Sequence, residues 1–133
     1  VHMLSNRISR AFFDEVETKY GVSIAEWRVI LTLVSEPGLS AADITNRWAM
    51  EKMSVNRAIQ RLVDSGNVAR SRDPEDRRSY RLTLTAKGRK LYEKIAPSAN
   101  KRYAELTSAI SGEELEALVA TLRKMISRAE ELN

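Results

Sequence analysis

The chain contains no cysteine. Disulfides, thiolate metal sites, thiol nucleophiles and cysteine-based redox switches are thereby excluded. Histidine is nearly as scarce, the only one among 133 residues being His2. It sits in an opening Val1-His2-Met3 that reads more like a cloning remnant than native sequence, so no mechanism is expected of it. Without a thiol or a placed imidazole, the common nucleophile-base pairs and zinc sites are out of reach. No acid-base pair is set off from the general surface charge either. The expectation is a protein that is not an enzyme, with no metal and no cofactor. No apolar run approaches the roughly 20 residues of a membrane-spanning helix, and no signal peptide is visible. A soluble cytoplasmic protein with no membrane partner is therefore expected.

What the chain does have is localised positive charge. Its length fits one domain with a respectable core, and its formal net charge is +4. Between Arg47 and Arg81 there are nine Lys/Arg against five Asp/Glu, which leaves 13 of each elsewhere, so the whole excess lies in 35 central residues. A solvated face would account for scattered charge; charge concentrated in this way points to a polyanionic partner.

Helical spacing of Leu4, Ile8, Ala11, Phe12 and Val16 predicts a first helix stopping at Gly21. Ser23 and Glu26 form a capping box for a second, with Trp27, Ile30, Leu31 and Val34 inward and Pro37-Gly38 as its end. Ser40 as N-cap, Asp43 at the third helical position and a Leu39–Ile44 staple open a short third helix reaching about Trp48. A fourth pattern opens at Met53 or Ser54, buries Val55, Ala58, Ile59, Leu62 and Val63, and stops at Ser65-Gly66. Two short helices with a tight connection make a helix-turn-helix. Alternation over Val68–Arg72 and Tyr80–Leu84, around the turn chemistry of Asp73-Pro74-Glu75-Asp76, adds a hairpin. Thr85 can cap a long helix that Pro97 should kink or split. Ser111 and Glu114 form a capping box, with Ile110 and Leu115 as its staple, for a last helix with Leu115, Leu118, Val119, Leu122, Met125, Ile126 and Ala129 on one face. The predicted fold is mainly α with a small β-hairpin wing. A winged helix-turn-helix at 22–88 is flanked by terminal helices, 1–21 and 89–133, whose surplus apolar stripes predict a homodimer.

With Val55, Ile59 and Leu62 inward, the fourth helix exposes Ser54, Asn56, Arg57, Gln60 and Arg61. Ser54 can cap the helix, whose backbone amides can hold a phosphate. Arg57 can grip guanine bidentately, and Asn56 or Gln60 can do the same to adenine. At the wing tip, Arg77 and Arg78 suit a narrow minor groove, and Asp76 is placed to orient the Arg78 guanidinium. Arg70, Arg72 and Arg81 are phosphate contacts if they face the duplex. The expected DNA-contacting set is Ser40, Lys52, Ser54, Asn56, Arg57, Gln60, Arg61, Arg72, Asp76, Arg77 and Arg78. A salt-bridge cluster that keeps the hairpin soluble, or a winged-helix module that docks a protein partner, would use the same residue types.

The stretch LSAADITNRWAMEKMSVNRAIQRLVDSGNV, followed by DPEDRRSYRLTLTAKG, resembles the MarR family of transcriptional regulators, and the resemblance extends over the whole chain as a single domain, 1–133. Its specific part is the Asp-Pro turn followed by Asp-Arg-Arg and then Leu-Thr-x-x-Gly at Leu84–Gly88. The resemblance implies Ser54, Asn56 and Arg57 in the major groove, Arg78 in the minor groove braced by Asp76, and an obligate dimer joined through its terminal helices. It also implies a small-molecule effector pocket, for which Phe12, Phe13 and Trp27 are candidate walls, although apolar helix residues also serve as plain core. The function implied is a DNA-binding regulator, a repressor reading a pseudo-palindrome with recognition helices roughly 34–36 Å apart. Two departures stand out. The absence of cysteine rules out the thiol-oxidation sensing of one branch of the family. Ala49 stands where many relatives carry Gly, and if it is left-handed it costs ~1 kcal/mol, so a reshaped turn is expected.

Overall fold

The computed structural model describes residues 2–133; Val1 lies outside the described residues, as does the side chain of Ala11. In chain order come α1 (His2–Tyr20), α2 (Ile24–Ser35), α3 (Ala41–Trp48), α4 (Lys52–Asp64), β1 (Val68–Arg72), β2 (Tyr80–Leu84), α5 (Ala86–Thr107) and α6 (Gly112–Glu131).

Helix starts follow local cap chemistry. The Ser23 hydroxyl accepts from the Glu26 N–H and donates to the Glu26 carboxylate, at 3.2 and 3.0 Å. Ser40 and Asp43 close a full capping box in which the Asp43 carboxylate accepts from the Ser40 N–H at 2.9 Å. That backbone bond, then the Ser40 hydroxyl, hold the Asp43 carboxyl below its ordinary range. The α3 end is pinned to α2, since the Trp48 indole N–H donates to Thr32 Oγ1 at 2.7 Å and Arg28 lies over the Trp48 ring at 5.3 Å. Ala49 follows with φ 49° and ψ 41°. Ala49 thus holds the left-handed conformation despite its Cβ.

Two boundaries differ from the sequence expectation. Helix α4 begins at Lys52, with Glu51 as N-cap and no side-chain cap bond. Ser54 is thus the third residue of the helix and does not cap it. Helix α5 passes through Pro97 unbroken, so Pro97 does not split it.

The wing is an antiparallel pair with Val68 opposite Leu84 and Arg72 opposite Tyr80. The loop before α3 extends it: the Gly38 N–H donates to the Leu82 carbonyl at 2.8 Å and the Leu82 N–H to the Leu39 carbonyl at 3.0 Å. At the wing base, the Thr85 N–H donates to the Asn67 carbonyl at 3.1 Å, the Thr85 hydroxyl donates to the Gly66 carbonyl at 2.6 Å, and its Oγ1 accepts from the Gly88 N–H at 3.0 Å. A Cβ added at Gly88 would lie 2.0 Å from the Asn67 carbonyl oxygen, so this is a close backbone approach that only glycine permits.

The chain divides into two compact units, at Pro97 and Ser98. The core of the first is built from Ile30, Leu33, Ile44, Val55, Leu62 and Leu82, all at 2% exposure or less, and it also takes in Val16 of α1 and Ile95 of α5. Helix α1 and the first part of α5 belong to this first unit, where Val16 and Ile95 are buried. In the second unit, Ser111 and Glu114 cap α6 reciprocally, and α6 has no buried residue. Leu118, Leu122, Met125 and Ile126 form an i, i+4, i+7, i+8 stripe that is 38–59% exposed.

Candidate nucleic-acid interface

Helix α4 buries Val55, Ala58, Ile59 and Leu62. At 100° per residue, the opposite ridge carries Met53 and Arg57, with Asn56 and Gln60 on the flank toward the wing and Arg61 on the flank toward α2. Asn56 and Arg57 are exposed, whereas Ser54 is only half-exposed. The flanks are already engaged. Gln60 donates from Nε2 to Asp64 at 2.7 Å, and its Oε1 accepts from the Arg70 guanidinium at 2.9 Å. Its amide is thus occupied on both sides, and it ties β1 to α4 where the sequence expected an adenine contact. Arg61 pairs at 3.3 Å with Glu26, whose side chain is only 10% exposed. The Arg61 guanidinium, 61% exposed, thus turns toward a nearly buried carboxylate on α2.

At the wing tip, the Asp76 carboxylate accepts from the Arg78 backbone N–H at 3.0 Å. Asp76 therefore braces the main chain of the tip, an Asx turn, and not the Arg78 guanidinium as expected. Asp73 fills two roles: it accepts from the Glu75 N–H at 2.9 Å and pairs with Arg81 at 3.2 Å. The Glu75 amide, followed by Arg81, holds the Asp73 carboxyl below its ordinary value, and Asp73 in turn pushes the Arg81 guanidinium upward. Arg81 is thus a strand-to-turn clasp, and Arg70 a strand-to-helix one. Among the described residues, ion pairs engage Arg47, Arg61, Arg81, Arg102 and Arg128; Lys52, Arg57, Arg72, Arg77 and Arg78 are in none of them.

The elements converge on a cleft of about 400 Å³ whose lining includes Ser40 from the start of α3, Lys52, Asn56 and Gln60 from α4, and Arg70, Arg78 and Tyr80 from the wing. Ser40 enters it with its hydroxyl committed to the Asp43 cap, at 3.1 Å from the Asp43 nitrogen. Ser54, Arg57, Arg61, Arg72, Asp76 and Arg77 lie outside that lining. The sequence reading did not place Tyr80 in this cleft and did not foresee the Gln60–Arg70 clasp.

The three aromatic residues proposed as effector walls separate. Phe12 and Trp27 are buried, at 7% and 4% exposure. Phe12 meets Phe13 and Trp27 edge-on at 4.9 and 6.4 Å, and Trp27 stacks on Tyr92 at 5.9 Å. Phe12 and Trp27 are core. Phe13 alone lines an open cleft of about 460 Å³, with Asn6, Ser9, Arg10, Glu17, Ser23 and Ile24.

A model of the MarR family matches residues 20–79. A MarR-family transcriptional regulator of known structure from Silicibacter pomeroyi is 30% identical, over 94% of this chain and 86% of that one, with a TM-score of 0.83. The chain belongs to the MarR family. Members of the MarR family are transcriptional regulators and not enzymes. The HTH-type transcriptional regulator FarR of Neisseria gonorrhoeae is 26% identical over 121 residues, 91% of this chain and 83% of that protein. A mutant MarR of Escherichia coli, solved in complex with operator DNA, shares the fold at 21% identity and a TM-score of 0.80, over 93% of this chain and 89% of that one. Among the described residues, no helix is long and apolar enough to cross a membrane.

Proposed function

We infer that this chain is a cytoplasmic, homodimeric repressor that reads a pseudo-palindromic operator in double-stranded DNA and responds to a small-molecule effector. One observation carries the reading: α3, α4 and the wing converge on a single cleft that holds Lys52, Asn56 and Arg78, while among the described residues Arg57, Arg77 and Arg78 stand in no ion pair. A ridge led by Arg57 suits the wide groove, and an arginine hairpin suits the narrow one. The operator complex of the Escherichia coli relative supports a DNA partner. The exposed apolar stripe of α6 supports a second copy, since such a face is stable only when covered. Bound to a promoter, the dimer blocks access to it. An effector releases DNA only insofar as it binds the non-operator dimer better, and the Phe13 cleft offers one place for it.

The test is selection of bound fragments from a random duplex pool, followed by anisotropy titrations at two salt concentrations. Specific binding should weaken steeply with salt as phosphate contacts release counterions. Arg57→Ala should reduce affinity about 10-fold or more and relax one base position. Arg78→Ala should weaken binding most on sites with a narrow minor groove. Salt-independent binding, or two silent variants, would overturn the assignment.

A further inference from the structure

The side chain of Met53 is 63% exposed, although the helix it belongs to buries four other apolar residues on the opposite side. Met53 lies four residues before Arg57, so the two side chains lie one above the other on the ridge farthest from the core. It is also the second residue of α4, and in a helix-turn-helix the first residues of the second helix are those that meet base edges. Lys52, Asn56 and Arg57 around it are all polar and exposed. A long apolar side chain there gains nothing from water and nothing from the phosphates.

The major groove has one apolar feature, the C5-methyl group of thymine. We propose that Met53 is a specificity-determining residue that packs on a thymine methyl beside the base gripped by Arg57. The thioether is flexible and polarizable, so it adapts to a methyl group at slightly varying depth. This assignment rests on the DNA-binding reading above and refines it. Arg57 supplies a polar contact to one base pair, and Met53 adds an apolar preference for T·A at a neighbour. Ser54, with its shorter half-buried side chain, does not supply that contact.

The experiment is a uracil scan. In the selected operator, each thymine is replaced singly by deoxyuridine, which keeps every hydrogen-bonding group and removes only the methyl. The wild type should lose about fourfold in affinity at one thymine per half-site, the effect of withdrawing one methyl from an apolar contact. Met53→Ala should bind thymine and uracil equally at that position and keep the salt dependence and the Arg57-dependent base preference. Met53→Leu should restore the discrimination, and Met53→Gln, similar in length but polar, should not. Circular dichroism melts confirm that the variants fold. If Met53→Ala retains the wild-type uracil penalty at every thymine while binding remains specific and salt-dependent, Met53 is not the reader and DNA binding stands. If the wild type shows no specific, salt-dependent binding, the parent reading falls and this one with it.

Discussion

Gly88→Ala is the change the packing tolerates least. The added methyl would stand 2.0 Å from the Asn67 carbonyl oxygen, 2.9 Å from its carbon and 3.1 Å from Leu84 Cδ2. Side-chain rotation cannot relieve contact with backbone, so α5 and the Asn67 turn must separate by about 1 Å to reach even a tight 3.0 Å approach. Both sides are held, because the Asn67 N–H donates to Leu62 and the Asn67 carbonyl accepts from Thr85, at 2.9 and 3.1 Å. Overpacking of this kind costs about 1–3 kcal/mol, and loosening the Thr85 bond adds about 1 kcal/mol. Alanine's better helix propensity returns up to about 1 kcal/mol. The net expectation is a destabilisation of about 1–4 kcal/mol, which lowers Tm by roughly 3–20 °C for a chain of this size. Urea unfolding followed by circular dichroism, at one fixed protein concentration because any self-association makes stability depend on it, provides the measurement. Gly112→Ala is the matched control, since it too lies in the first turn of a helix but nothing lies within 4 Å of its added Cβ; it should be neutral or slightly stabilising. Gly88→Ala unfolding at the same urea midpoint as the wild type would refute the close approach, and with it the account of how the wing base is fixed.

Ala49→Gly should stabilise the protein by about 0.5–1 kcal/mol, because relief of the left-handed penalty exceeds the extra entropy of an unfolded glycine; a lower Tm would contradict it. Ser111→Ala should cost about 1 kcal/mol by removing the α6 cap, as a thermal melt would show. The folded Asp73 carboxyl titrates below its unfolded value, so its contribution is present above the ordinary Asp range, about pH 4, and is lost as pH falls through the lower folded value. Hydrogen exchange of wing amides should therefore quicken below about pH 4 relative to α4 amides, and Asp73→Asn should quicken it at neutral pH as well. Gln60→Ala should weaken operator binding about threefold by freeing Arg70 from α4, without changing preference at any adenine; a lost adenine preference would restore the direct contact.

Much of the fold was legible because its signals are local. The reciprocal caps at Ser40 and Ser111, the apolar stripe of α4 and the Asp73–Asp76 turn are each set by residues within four positions of one another. The side-chain partners were not legible where they are distant in sequence. Nothing near Arg61 announces Glu26, and nothing in the α4 pattern reveals that Arg70 will reach Gln60. Asp76 is a different case, since its i to i+2 bond to the Arg78 amide is ordinary Asx chemistry that a reading of the turn alone would give. Alternation in the wing identified two strands, but not the Leu39 bridge that extends them. Gly88 was legible as part of a motif without its reason, because the close approach appears only once the Asn67 turn and α5 are brought together.

That bridge decides what kind of tool the wing is. With Gly38 and Leu39 bonded to Leu82, and Gln60 holding Arg70, the hairpin is joined at its Arg70–Leu82 rung to the loop before α3 and to α4. That rung is fixed against both before any partner arrives. On the DNA-binding reading, the hairpin stands to α4 as a calliper's jaw stands to its beam, its spacing set at the base.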